Sequence, residues 1–144
     1  MISLRGRYRT PIRFVGYSHG GNIAILAANI LHQQHGIPVE TLITIGTPVR
    51  EYQLLSGAVG QHINVYNTRD AVQVIGGGRG CVFAGMSVGM WRTTPVLVPA
   101  GRTFTGAENV RVTVPDGMNP FAAHRFMHQN DDIWRRYFAG LIRR

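Results

Sequence analysis

Residues 15–21 read VGYSHGG, a glycine-x-serine-x-glycine pattern set between two apolar stretches. The preceding residues 12–15 (IRFV) are typical of a short buried strand. From Gly20 onward the apolar residues recur at helical spacing, and Gly36 and Pro38 stop that pattern. The sequence therefore predicts a strand, a sharp turn carrying Ser18, and a helix.

A serine on so sharp a turn is a candidate nucleophile. The turn strains its backbone, and the close approach of strand to helix is expected to leave no room for side chains at Gly16 and Gly20. The helix that follows presents N-terminal amides, so the N–H of His19 is the expected oxyanion donor. The side chain of His19 is expected to point away from Ser18.

Three later segments are predicted as strands because they are β-branched or alternate in polarity. They are residues 41–45 (TLITI), 62–66 (HINVY) and 110–114 (VRVTV). Strands separated by helical or loop connections favour a parallel sheet of the α/β class, with helices on both faces.

The second half of the chain is less regular. Residues 76–101 are rich in glycine and predict a long irregular connection with a short strand at 96–98. A loop containing Pro115, Gly117 and Pro120 is expected next. Residues 131–142 then carry one apolar stripe, with acidic residues at the start and arginines after the end, which predicts a closing helix.

The G-Y-S-H-G-G run resembles the lipase and esterase branch of the α/β-hydrolase superfamily, in which G-[HYW]-S-[HMLQ]-G-G runs are frequent. Residues 41–48 (TLITIGTP) look like the strand after the nucleophile helix, and residues 62–70 (HINVYNTRD) look like the strand that delivers the acid. The resemblance implies a parallel-sheet hydrolase fold and a triad in the chain order serine, acid, histidine. It implies a serine hydrolase for lipid-like or small carboxylic esters that needs no cofactor.

The acid of such a triad is assigned to Asp70 by elimination among the 7 acidic residues. Asp70 follows the end of a predicted strand, where the sites of parallel sheets gather. The alternative is a turn or capping aspartate neutralised by Arg69. The other acidic residues are expected at positions that do not suit the acid. Glu40 precedes a predicted strand, and Glu51 comes too early in the chain, soon after residues 46–48. The remaining four flank the last strand or cap the final helix: Glu108 and Asp116, and Asp131 and Asp132.

The base is assigned to a histidine that follows Asp70. His124 and His128 both do so, and both are expected in the loop after the last strand. In lipase-like relatives the histidine stands roughly ten residues before a tryptophan of the final helix, and Trp134 has that relation to His124. His128 is the second candidate. His19, His32, His35 and His62 are excluded by their expected positions.

Other binding functions have weaker signals. His124 and His128 stand four residues apart near Asp131, yet no third metal ligand has recognisable spacing. The glycines of residues 76–80 could form an anion-binding nest or a flexible connector. Residues further along, Met86, Met90 and Trp91, could line an acyl pocket, form a lid or join a satellite core.

Composition limits the alternatives further. All 15 basic residues are arginine, against 7 acidic residues, giving a net charge of +8. The arginines are scattered and lack an aromatic-interleaved basic motif, so a nucleic-acid partner is not expected. Cys81 is alone, which excludes an internal disulfide. No apolar run is long enough to predict a transmembrane segment.

The resemblance covers nearly the whole chain, so residues 1–144 are expected to form a single partial domain. It corresponds only to the C-terminal portion of the family's fold, from the nucleophile strand onward. In the family several strands precede that strand, and the second oxyanion donor comes from an earlier loop. We therefore expect a truncated fold, with an exposed sheet edge beside the nucleophile strand. Three explanations follow: a truncated or mis-started gene product, a fragment of a larger polypeptide, or a chain completed by a partner or a second copy.

Two functions remain open besides ester hydrolysis. Amide or thioester cleavage uses the same triad, and no residue discriminates between these reactions. The second possibility belongs to a different functional class, in which the chain is a non-catalytic, partner-binding remnant of a hydrolase domain.

Overall fold

The computed structural model describes residues 10–75, 81–85, 93–97 and 100–139. The elements are β1 (Arg13–Tyr17), α1 (His19–His35), β2 (Val39–Ile45), β3 (Val59–Tyr66), α2 (Ala71–Ile75), β4 (Cys81–Gly85), β5 (Thr93–Leu97), β6 (Glu108–Arg111), α3 (Pro120–Gln129) and α4 (Asp131–Ile133). A π-helical segment, Trp134–Phe138, continues α4.

A four-stranded parallel sheet in the order β1-β2-β3-β6 organises these elements. The central strand β2 is buried from Thr41 to Ile45. Both faces of a parallel sheet are usually covered by its crossover helices, which explains this continuous burial. The predicted α/β class is confirmed, although β2 and β3 begin a few residues earlier than predicted.

One face of the sheet is covered by α1. Gly16 of β1 lies against the backbone of Gly20 and Gly21 at the start of that helix. The helix ends where the sequence predicts, because Gly36 adopts a left-handed φ of 64° and its N–H donates to the His32 carbonyl.

The opposite face carries the main hydrophobic core. Strand residues of β2 and β3 pack there against α3, α4 and the π-helical segment. The buried members of this cluster are Ile43, Ile45, Ile63, Val65, Met127, Ile133 and Phe138. Helical elements thus lie on both faces of the sheet.

Strand β1 lies at one edge of the sheet. Within the described ranges it pairs with β2 alone, and Val15 on it is 44% exposed. On α1, the large side chains of Ile23, Leu26 and Ile30 face away from the sheet, with 67%, 38% and 48% exposed. Exposed apolar side chains therefore lie both on the edge strand β1 and on α1.

The structure corrects the prediction for residues 110–114. The last strand of the sheet is Glu108–Arg111, because its partner β3 ends at Tyr66, which is in register with Arg111. Val114 is buried all the same, outside the strand. The preceding connection is also more regular than predicted, since β4 and β5 form an antiparallel hairpin within it.

The predicted loop before the closing helix is wrong in part. Residues Pro120–Gln129 form α3, in which Pro120 occupies the first turn and the Asn119 side chain accepts from the Ala122 N–H at 2.8 Å. Proline lacks the N–H that a first turn leaves unbonded, so it starts a helix as readily as it stops one. The closing helix begins at Asp131 as predicted, but Asn130 caps it rather than an aspartate.

Candidate active site

Ser18 forms the turn between β1 and α1. Its backbone has φ 52° and ψ −129°, and no other described non-glycine residue has a positive φ. Its N–H donates to the Ile45 carbonyl at 2.8 Å, which ties the turn to the end of β2. Such a conformation costs about 1–3 kcal/mol and is found chiefly at functional sites. The strained elbow predicted from the sequence is present.

The glycines around Ser18 allow the strand and helix to approach closely. A Cβ on Gly16 would lie 2.5 Å from the Gly21 Cα, and a Cβ on Gly21 would lie 2.0 Å from the Thr47 Oγ1. A Cβ on Gly20 would meet nothing within 4 Å. The prediction is therefore confirmed for Gly16 and wrong for Gly20, since Gly21 makes the second close approach.

The start of α1 lies directly after Ser18. The Gly21 N–H donates to the Ser18 carbonyl at 3.1 Å. His19 is the first residue of the helix, where backbone N–H groups have no acceptor within the helix. Its side chain is exposed to solvent. The backbone N–H of His19 is therefore not used by the hydrogen bonds of the helix, and it belongs to the residue that directly follows Ser18.

Asp70 is fully buried after the C-terminal end of β3. Its Oδ1 accepts from the Gln73 N–H at 2.9 Å, and its Oδ2 accepts from His124 Nδ1 at 2.6 Å. Arg69 does not neutralise this carboxylate, because its guanidinium pairs with Asp116 at 2.5 Å. Asp70 thus caps a helical turn through one oxygen and binds a histidine through the other.

His124 is 7% exposed and lies on α3. This position corrects the expectation that it stands in a loop. The helix packs against the core through Met127 and delivers the imidazole to Asp70 across 54 residues of sequence. The bond leaves Nε2 as the ring nitrogen available to a substrate or a nucleophile.

The ring of His124 fits beside Gly46 at the end of β2. Gly46 has a φ of 55°, and a Cβ there would lie 3.3 Å from His124 Cε1, 3.2 Å from Asp70 Oδ2 and 2.9 Å from Met127 Cε. A larger residue would press on the acid–histidine pair. Ser18 and His124 are not hydrogen-bonded to each other in this conformation.

His128, the second candidate for the base, does not contact Asp70. Its ring stacks on Tyr17, with centroids 4.0 Å apart. Its pKa is lowered by burial, then by His124 and Arg125. Among the described residues, no three His, Cys, Asp or Glu side chains form a group able to hold a metal ion.

Three contributors to the site were not identified from the sequence: Tyr17, Gly46 and Gln73. The Gln73 side chain is fully buried and donates to the Thr47 carbonyl at 2.8 Å, while its N–H binds Asp70. An aspartate followed three residues later by glutamine is a helix-start signature. That spacing could have identified Gln73.

Comparison with protein-family models, with curated proteins and with solved structures finds no match.

The glycines of residues 76–80 and the residues Met86, Met90 and Trp91 lie outside the described residues. Within the described ranges, no helix is both long and apolar enough to cross a membrane.

Proposed function

We propose that this chain is a serine hydrolase of the α/β-hydrolase type that acts on carboxylic esters. The observation that carries the proposal is the buried hydrogen bond from His124 to Asp70, at the same edge of the sheet as the strained turn of Ser18. The parallel direction of the strands supports it as well, since β1, β2 and β3 all have their C-terminal ends at that edge.

Each residue has a defined role in the proposed reaction. Ser18 Oγ attacks the acyl carbon, and His124 Nε2 accepts its proton and passes it to the leaving alcohol. Asp70 fixes the tautomer of His124 and stabilises its cation. The His19 N–H stabilises the oxyanion. Water then attacks the acyl-enzyme by the same route, releasing the acid and restoring Ser18.

Reactivity toward a fluorophosphonate probe tests the role of Ser18. Such a probe labels a serine only when a neighbouring base activates it, so a mass increase on Ser18 is expected with the wild-type chain. The label should disappear in Ser18→Ala and remain in Ser56→Ala, which removes an exposed serine of the β2–β3 connection. No label on Ser18 of the folded chain would contradict the proposal.

A second candidate is a non-catalytic, partner-binding role. The outer edge of β1, which has no partner strand within the described ranges, and the exposed apolar residues of α1 favour it, because unpaired strand edges recruit further strands. The partner would add a strand, from another segment, another protein or a second copy. A chain that binds a partner through this surface yet leaves Ser18 unlabelled would favour this candidate over the hydrolase.

A further inference from the structure

The side chain of Tyr17 contacts both histidines of α3. Its ring centroid lies 4.8 Å from that of His124, with 36° between the planes, and 4.0 Å from that of His128, with 35° between the planes. Tyr17 also directly precedes Ser18 and is the last residue of β1. One aromatic ring thus joins the elbow to the helix that carries His124.

The His124 imidazole needs such a contact. Its single hydrogen bond to Asp70 fixes Nδ1, but a ring held at one atom can still rock about that bond. Gly46 borders the ring at Cε1, and Tyr17 packs against the ring itself. A catalytic group that departs from its productive geometry by 10–20° or about 0.5 Å loses efficiency.

His128 supports Tyr17 from a second position on α3. Its backbone carbonyl accepts from the Trp134 indole N–H at 2.6 Å, which holds this end of α3 against the π-helical segment. Burial lowers the pKa of His128, with smaller contributions from His124 and Arg125. A lowered pKa favours the uncharged form of the His128 ring, which does not repel the imidazolium that forms on His124 during the proposed reaction.

We infer that Tyr17 is a positioning residue for the proposed hydrolase, whose ring, supported by His128, holds the His124 imidazole in place between Asp70 and Ser18. This inference rests on the proposed function. The ring rather than the hydroxyl makes the contact, because the hydroxyl has no hydrogen-bond partner among the described residues. Burial, with a contribution from Asp70, raises the pKa of Tyr17 to about 12, so the hydroxyl stays neutral.

Kinetics of ester hydrolysis by Tyr17 variants test the inference. Tyr17→Leu should lower kcat by about 10–100-fold with KM within about threefold, since a misplaced catalytic group slows the chemical step. Tyr17→Phe keeps the ring and should stay within about threefold of the wild-type kcat. Tyr52→Leu, at a half-buried loop position, is the matched control. A wild-type kcat in Tyr17→Leu, or an equal loss in Tyr17→Phe, would overturn the inference.

Proton NMR gives a measurement that does not depend on turnover. A histidine Nδ1–H bonded to a buried carboxylate gives a resonance far downfield. This signal should be sharp in the wild type and in Tyr17→Phe, and broadened in Tyr17→Leu. An unchanged signal in folded Tyr17→Leu contradicts the inference. If the wild-type chain is not labelled by the fluorophosphonate probe and does not hydrolyse esters, the hydrolase proposal fails. The NMR comparison of the wild type with the Tyr17 variants still decides whether Tyr17 positions His124.

A milder variant covers the outcome in which Tyr17→Leu does not fold. His128→Ala removes the support from a partly exposed position and should lower kcat by about threefold to tenfold, with broadening of the same resonance. His35→Ala, on the exposed end of α1, is the matched control. Unchanged kcat and an unchanged resonance in His128→Ala would show that the stack does not position His124.

Discussion

His124 Nδ1 donates a 2.6 Å hydrogen bond to Asp70 Oδ2, and the carboxylate that receives it is fully buried. A buried carboxylate is stable only with partners, and here the Gln73 N–H binds the other oxygen. The pair joins the end of β3 to α3, so the same interaction contributes to the fold and sets the tautomer of the proposed base.

Replacing Asp70 by asparagine should abolish most activity with little change in fold. The amide oxygen can still accept from Gln73, but the amide cannot stabilise the His124 cation. We expect kcat to fall by about 10³–10⁴-fold, measured alongside the circular dichroism of the folded chain. Asp116→Asn, which removes an exposed carboxylate, is the control and should retain activity. Equal kcat values in the two variants would remove Asp70 from the mechanism.

The assignment of the base predicts unequal effects at the two histidines of α3. His124→Ala should lower kcat by at least about a thousandfold, because it removes the proton acceptor. The loss should far exceed that of His128→Ala. Steady-state kinetics of both variants on one ester substrate provide the comparison. The assignment is wrong if His128→Ala is the more damaging variant.

The free energy of unfolding should respond differently to substitutions at Gly20 and Gly21, the two glycines that follow Ser18 at the start of α1. Gly21→Ala should destabilise the chain by about 1–3 kcal/mol, because the new methyl overlaps Thr47. Gly20→Ala has open space and should not destabilise it. Urea unfolding gives both values. Thr47→Gly in the Gly21→Ala background should recover part of the loss, and an additive double variant would show that this contact is not the cause.

The pH dependence of stability should report His62. Its Nε2 lies 2.9 Å from the Thr44 hydroxyl, and burial lowers the pKa of His62 to about 4. Between the ordinary histidine pKa near 6.5 and about 4, the unfolded chain binds the proton and the folded chain does not. Stability from this residue is therefore complete above pH 6.5 and falls as the pH drops toward 4.

Urea midpoints across that pH window test this prediction. His62→Gln should reduce the slope of the midpoint against pH, because the variant has no group to titrate there. His35→Gln, at an exposed histidine, should leave the slope unchanged. The same slope in His62→Gln as in the wild type would assign the pH dependence to other groups.

Local patterns in the sequence predict much of this fold. The alternation of β-branched strands with the apolar helix after Ser18 predicts the parallel sheet and α1, and Gly36 marks the end of that helix. Local signals fail where tertiary contacts decide. Pro120 predicts a helix break from its type alone, but it lies in the first turn of α3, which Asn119 caps. The strands β4 and β5 pair within a stretch whose glycines predict irregular structure.

The candidate site shows the same division. The turn at Ser18 follows from adjacent residues, whereas the choice of Asp70 and His124 relies on elimination and on the resemblance to lipase-like hydrolases. The contacts around them depend on distant packing. Gly46 borders His124 only because α3 crosses the end of β2, and Tyr17 reaches both histidines only because β1 ends there.

Hydrolysis of p-nitrophenyl butyrate by the purified chain tests the central claim most directly, with Ser18→Ala and Ser56→Ala measured in parallel. We predict turnover by the wild-type chain, a loss of at least about a thousandfold in Ser18→Ala, and an unchanged rate in Ser56→Ala. Turnover that persists in Ser18→Ala, or a folded wild-type chain with no turnover above the uncatalysed rate, would contradict the claim that Ser18 is an activated nucleophile.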